Sequence, residues 1–198
     1  MYLCFDLETN GLLAHKNVDF THLRFFRECR LVSIAYILLD DDLEVVREGY
    51  HIAKPDGYTI SRESTRIHGI EHDYAINHGQ DIRKILDIVL DLFREFNITH
   101  LVGHNVSFDY TVLQSELFRY KGKEANAILR EKELFCTMRT GQDLLNLDKF
   151  PKLSALYTII MKKPLENAHN AKADTWACKE CFCYMLRHKK NIIRKKNE

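Results

Sequence analysis

The run Leu31–Leu39 carries no charge and is fenced by Arg30 and Asp40. A helix crossing a bilayer needs roughly 20 apolar residues, so this run is too short to span one and reads as a buried strand. A strand of that kind obliges the rest of the chain to cover it. Glu44–Ile52 reads as the next strand, and the acidic turn Asp40-Asp41-Asp42 between the two predicts an antiparallel hairpin. Leu3–Glu8 reads as an earlier strand, His100–Gly103 as a short central one, and Leu134–Thr137 as a fifth.

The covering layers are helical. In Asp81–Phe96, Ile82, Ile85, Leu86, Val89, Phe93 and Phe96 recur at three and four residues and form one apolar stripe. Phe108–Arg119, Glu124–Lys132, Lys152–Ile160 after Pro151, and Ala173–Leu186 read as further helices. Leu12–Arg30 is polar and aromatic without period, and reads as a surface loop. Strands first, then helices alternating with short strands, predict an α/β chain with a mixed sheet and helices on its faces. No linker or repeat divides it, so residues 1–186 read as one domain followed by a basic tail over 187–198.

Composition narrows the setting. With 198 residues, 45% hydrophobic and 29% charged, the chain is long enough for a proper core and is ordinary for a soluble domain. The net charge, 29 − 28 = +1, does not by itself announce a polyanionic partner. The tail holds Arg187, Lys189, Lys190, Arg194, Lys195 and Lys196 against Glu198, either a solvated end or a tether for phosphates. No basic leader precedes Tyr2–Phe5, so an intracellular, cytoplasmic protein without a membrane anchor is expected. In that compartment the six cysteines are free thiols. Cys178 and Cys181 resemble half a zinc site beside His188, but at four and seven residues from Asp174 they fall on one helix stripe and read as core.

The chemistry lies in three short segments. Asp6 and Glu8 are two apart on a strand, so both point to one face, and they close an apolar strand before Gly11. Two like charges there repel each other, and a hard divalent cation with oxygen ligands relieves the repulsion. Asp109 opens a helix just after a short apolar strand, where it suits the helix dipole or a third metal bond. Asp174 lies on the first turn of the last helix, and His169 lies in the loop before it, free to reach over a site that Asp174 helps to form. Asp6, Glu8, Asp109 and Asp174 suit two Mg²⁺ ions, and His169 suits a general base, the arrangement of two-metal phosphodiester hydrolysis.

In this order and at these spacings the segments resemble the DEDDh branch of the DnaQ-like exonuclease superfamily. The resemblance covers nearly the whole chain. It extends to Arg66–Ile70, to Phe135–Met138, and to Pro151–Pro164 leading into Asn167-Ala168-His169. It implies a ribonuclease H-like fold, a five-stranded mixed sheet flanked by helices. It also implies a 3′→5′ exonuclease that uses two Mg²⁺ or Mn²⁺ and releases nucleoside 5′-monophosphates.

By position, Asp6, Glu8, Asp109 and Asp174 match the metal carboxylates, and His169 matches the histidine of the branch. The sister branch has a tyrosine where this chain has Asn170. Thr9, Leu12, Asn105 and Phe108 match positions that contact the terminal nucleotide, and His68 supports a turn. The Leu12–Arg30 loop is longer than in compact members. With only a basic tail of about a dozen residues after the last helix, a polymerase-docking extension is not expected, which weakens the reading as a proofreading subunit. A polymerase, another partner and a homodimer all stay open.

The expected substrate is nucleic acid with a 3′ end, single-stranded DNA favoured. Three alternatives remain: an RNA 3′-end trimming exoribonuclease, a catalytically silent binding module, and a zinc-binding interaction protein built on Cys178, Cys181 and His188.

Overall fold

The structure is a computed structural model that describes residues 1–13, 15, 18–166 and 168–196, with the side chains of the last helix as far as His188. Five strands form one sheet in the order β3-β2-β1-β4-β5, with β1 Tyr2–Thr9, β2 Leu31–Leu39, β3 Val45–Ile52, β4 His100–Gly103 and β5 Glu133–Cys136. β1, β2 and β3 pair antiparallel, while β4 and β5 run parallel to β1. This is the expected α/β mixed sheet, and the hairpin falls where the acidic turn predicts it.

All nine residues of β2 are buried, because helices cover both faces of the sheet. Ile34, Tyr36 and Leu38 face one layer, and Ile37 and Leu39 face the other. Eight helices supply the layers and the connections among the described residues: α1 Arg62–His68, α2 His72–His78, α3 Ile82–Glu95, α4 Val106–Lys121, α5 Ala127–Arg130, α6 Thr137–Leu145, α7 Leu153–Met161 and α8 Ala171–Lys196. α3 buries Ile82, Ile85, Leu86, Val89 and Phe93 of the anticipated stripe and adds Leu90 and Leu92, while Phe96 follows the helix and is partly buried. It packs with α4 over Leu3, Phe5 and Leu7 of β1. On the other face Cys178 and Phe182 of α8 cover Cys4, Ile37 and Val102. α6 and α7 pack outside α8, where a Cβ on Gly141 would lie 2.7 Å from Leu156 Cδ1, so glycine permits that approach. No described helix is long and apolar enough to cross a membrane.

Several elements depart from the sequence reading. α1, α2 and α6 were not anticipated. α1 and α2 have seven residues each, too short for a period to show. α1 is fixed by its ends instead: Ser61 Oγ accepts the Ser64 amide at 3.0 Å, and Gly69 closes it at φ 76°. The helix expected over Glu124–Lys132 is a 3-10 turn, Glu124–Asn126, followed by the short α5. α8 starts two residues before the expected Ala173 and runs past Leu186 to Lys196, so the backbone of the basic tail continues the helix. The tail's side chains from 189 lie outside the described residues.

The largest correction concerns Leu12–Arg30, expected as a surface loop. It contains a 3-10 turn, Leu23–Phe26, and buries Phe26, Cys29 and Arg30. Its aromatic residues lack a period because they are single anchors rather than one face of an element. Arg30 Nε donates to Glu116 Oε1 at 2.6 Å, and Nη2 donates to Glu116 Oε2 at 3.2 Å and to Tyr120 Oη at 2.8 Å. The Leu31 amide also donates to Glu116, at 3.2 Å. The pair thus ties the start of β2 to the middle of α4. Removing one partner of a buried pair strands the other charge. Glu116→Ala should therefore lower unfolding stability by about 3–5 kcal/mol in a urea titration, and a loss within experimental error would show that solvent reaches Arg30.

Candidate active site

The site forms where β1 outruns β4. β4 pairs with β1 only from Tyr2 to Cys4, whereas β2 pairs with it as far as Thr9. Phe5–Thr9 therefore has no strand on its β4 side. The Leu7 amide on that side donates to Asp109 Oδ1 at 3.0 Å. Asp109 is buried on the first turn of α4, so a carboxylate from the helix layer substitutes for a ladder partner. The turn that places it is tight: Gly103 ends β4, and Asn105 adopts a left-handed φ of 65° immediately before the helix.

Asp6 and Glu8 share the face of Cys4, the face α8 covers. The first turn of α8 brings Asp174 to them. Asn170 Oδ1 accepts the Lys172 and Ala173 amides at 3.1 and 3.3 Å, capping the helix. Thr175 Oγ1 lies 3.4 Å from the Ala35 carbonyl, and Ala35 is the β2 partner of Asp6. One carboxylate oxygen each from Asp6, Glu8 and Asp174 lie within 4.8 Å of one another. Asp109 stands outside that set, one of its oxygens engaged by Leu7, yet its charge still bears on Asp6.

Crowding and burial act together on these acids. Burial, then Asp109, Glu8 and Asp174, hold the Asp6 carboxyl well above its ordinary range. Burial, then Asp174 and Asp109, push Glu8 up to about 8. Burial raises Asp109 to about 7 against the lowering effect of the Leu7 amide. Asp174 is also raised by burial, opposed by the His169 amide, which donates to its Oδ2 at 3.0 Å. Its other oxygen, Oδ1, is buried with no hydrogen-bond partner among the described residues. An orphaned anionic oxygen beside two more carboxylates fits a hard divalent cation.

The remaining anticipated residues divide. His169 is exposed, at φ 68°, and lines a cleft of about 430 Å³ with Asp6 and Asp174. Leu12, Asn105 and Phe108 line an adjoining cleft of about 510 Å³. Thr9 lines neither. A shift in β-pairing separates it from Glu8, and its hydroxyl donates to the Gly11 carbonyl at 2.6 Å. Gly11 is required in that turn, since a Cβ would collide with the Glu28 carbonyl oxygen. His68 accepts the Ile70 amide at its Nδ1 at 3.0 Å, a turn support. Cys178 and Cys181 are buried in core clusters, and His188 Nδ1 meets the Tyr184 carbonyl at 2.8 Å.

Sequence reading missed other wall residues. His104, Met138, Phe150, Lys152 and Ser154 line the first cleft. His104 stands in the segment that carries Asp109, and its place at the end of a strand was the available signal. Its Nε2 donates to the Pro151 carbonyl at 3.0 Å, its Nδ1 lies 3.1 Å from Thr137 Oγ1, and burial lowers its pKa. It therefore fastens the segment before α7 to the end of β4. Phe150 and Lys152 flank Pro151; in sequence Lys152 reads only as the start of a helix, and Phe150 falls in no expected element.

A five-stranded mixed sheet in this order, flanked by helices and with a carboxylate cluster at the overhanging end of its middle strand, is a ribonuclease H-like fold. The model of the Exonuclease family (RNase_T) matches residues 3–182, and the chain belongs to that family, within the DnaQ-like superfamily. No curated protein matches its sequence.

Among solved structures it is similar to Escherichia coli exonuclease I in complex with a dT13 oligonucleotide, at 20% identity and a TM-score of 0.73, over 98% of this chain and 42% of that one. A zinc-bound form of the E. coli exonuclease I–ssDNA complex gives 21% identity and a TM-score of 0.73, over 94% and 40%. The moderately thermophilic exonuclease I of Methylocaldum szegediense gives 20% and 0.70, over 94% and 40%. The chain thus spans about two fifths of the length of these structures.

The raised acids make a metal-free stability prediction. The folded state holds their protons more tightly than the unfolded chain does, so the stabilisation is complete below about pH 4 and is lost as pH rises toward about 8, where Glu8 ionises. In EDTA, the melting temperature of Asp174→Asn should fall less than that of the wild type between these limits. Added Mg²⁺ should flatten the wild-type curve. Parallel wild-type and variant curves would remove Asp174 from the coupled cluster.

Proposed function

We propose that this nuclease is a 3′→5′ exonuclease of the DEDDh type, which removes nucleotides from the 3′ end of nucleic acid, DNA favoured, and releases nucleoside 5′-monophosphates. The observation that carries the reading is the set of three carboxylate oxygens from Asp6, Glu8 and Asp174 within 4.8 Å, with Asp174 Oδ1 left unpartnered beside them. Asp109 supports the set from the opposite layer, adding its charge while the Leu7 amide fixes its position.

In this reading Asp6, Glu8, Asp109 and Asp174 hold two Mg²⁺ or Mn²⁺ ions. Bound there, such ions supply acidification of water and neutralisation of charge on the phosphate and the leaving 3′ oxygen. The chain's own residues do the rest. His169, on the exposed rim of the cleft beside Asp6 and Asp174, accepts the proton of the attacking water as the general base. The hydrogen bond from the His169 amide to Asp174 Oδ2 couples the base's position to the carboxylate cluster. Leu12, Asn105 and Phe108 receive the terminal nucleotide in the adjoining cleft. The six free cysteines suit a protein that works inside the cell. The choice of DNA follows the oligonucleotide complexes of the similar structures.

Single-stranded DNA and RNA of one sequence, labelled at the 5′ end, test the proposal. A ladder shortening from the 3′ end should appear with Mg²⁺ or Mn²⁺ and vanish with EDTA, faster on DNA. His169→Ala should lower kcat by about 10²–10⁴-fold while metal titration curves stay unchanged. Cleavage at internal positions, or binding without cleavage, would falsify the exonuclease reading, and faster cleavage of RNA would reverse the sugar preference.

A further inference from the structure

The two clefts adjoin, and Met138 and Phe150 line both. One cleft contains Asp6, Asp174 and His169, and the other contains Leu12 and Phe108. Phe150 is 56% exposed and Leu12 is 79% exposed. Single apolar residues on a surface are ordinary. Two large ones on the wall of one cleft, beside a carboxylate cluster, mark a place where an apolar group docks.

The backbone at Phe150 is anchored even though its ring is in water. Pro151 is buried, its carbonyl accepts from His104 Nε2 at 3.0 Å, and the carbonyl of Lys152 accepts the Leu156 amide at 2.9 Å to begin α7. Asn105, adjacent to His104, lines the same cleft as Phe150. The ring is therefore presented by a segment fixed to the strand end that also carries the nucleotide pocket.

We propose that Phe150 is a specificity-determining residue that stacks on the base of the 3′-terminal nucleotide, in the cleft it shares with Leu12 and Phe108. The inference rests on the exonuclease reading above and goes beyond it by naming how the end is recognised. At about 510 Å³ the cleft has the size of a small-ligand pocket, which spans roughly 300–1,000 Å³. Every base offers a π-face, so stacking accepts any sequence. A base that is paired and stacked in a duplex has first to leave its neighbours, so this contact selects unpaired 3′ ends.

The test is removal of the terminal nucleotide from two single-stranded DNAs in Mg²⁺, one ending in a normal nucleotide and one in an abasic residue. Stacking is worth about 1–3 kcal/mol per base, so Phe150→Ala should lower kcat/KM on the normal end by about 5- to 150-fold. On the abasic end it should change kcat/KM by less than about 2-fold, because the partner of the ring is already gone. Phe150→Trp should restore the normal-end rate, and the alanine variant should melt at the wild-type temperature. Equal loss on both substrates, or none on either, would overturn the stacking role while leaving the exonuclease reading intact. A wild-type protein inert on both DNAs would overturn the two together.

Discussion

The Leu7 amide donates to Asp109 Oδ1 across 102 residues of sequence, and that bond exists because β4 stops at Gly103. A fuller β4 would have taken the amide into the sheet ladder and kept α4 away from the end of β1. Instead the middle strand projects beyond its parallel neighbour, and groups from both helical layers reach its tip. α4 delivers Asp109 from the side of Leu3, Phe5 and Leu7. α8 delivers Asp174 from the side of Cys4. The short strand, the left-handed Asn105 and the first turns of two helices converge at this one unpaired edge.

Holding four carboxylates together is unfavourable, and the surrounding structure resists their separation. Asp6 and Glu8 are locked by pairing with Ala35 and Ser33 on the fully buried β2. α8 is held through Cys178 and Phe182 in the core and Thr175 against Ala35. α4 is anchored by Glu116 to Arg30. With each carrier fixed by apolar packing or a buried ion pair, the acids cannot move apart, and proton uptake is the relief left to them without a cation. Burial raises the pKa values of all four acids, and the neighbouring carboxylates add to the rise at Asp6 and Glu8.

The sheet was legible because its signals are periodic or compositional. A charge-free run gave β2, an acidic turn gave the hairpin, and a three-and-four spacing gave α3. α1 and α2 were not legible, since seven residues rarely complete a pattern and a cap such as Ser61 is an ordinary serine in print. Arg30 shows a different limit. As a bare letter it looks like a charge that ends a strand, and partners far along the chain, Glu116 and Tyr120, make its burial feasible. For the site, alternation along a strand placed Asp6 and Glu8 on one face, and the loop before a helix placed His169 near Asp174. Nothing local indicated that Asp109 would bond a strand amide, that Thr9 would turn back to Gly11, or that Phe150 would stand between two clefts.

The order in which the carboxylates occur has a consequence for synthesis. Asp6 and Glu8 leave the ribosome first, but Asp174 follows Asp109 by 174 − 109 = 65 residues. At roughly 5–20 residues per second, a growing chain passes about 3 to 13 s with an incomplete cluster even after β1, β2 and β4 exist. The last acid arrives on the helix that also seals one face of the sheet. Closing the core and completing the cluster are thus one event, so a half-made chain beside a messenger RNA lacks the full set of acids.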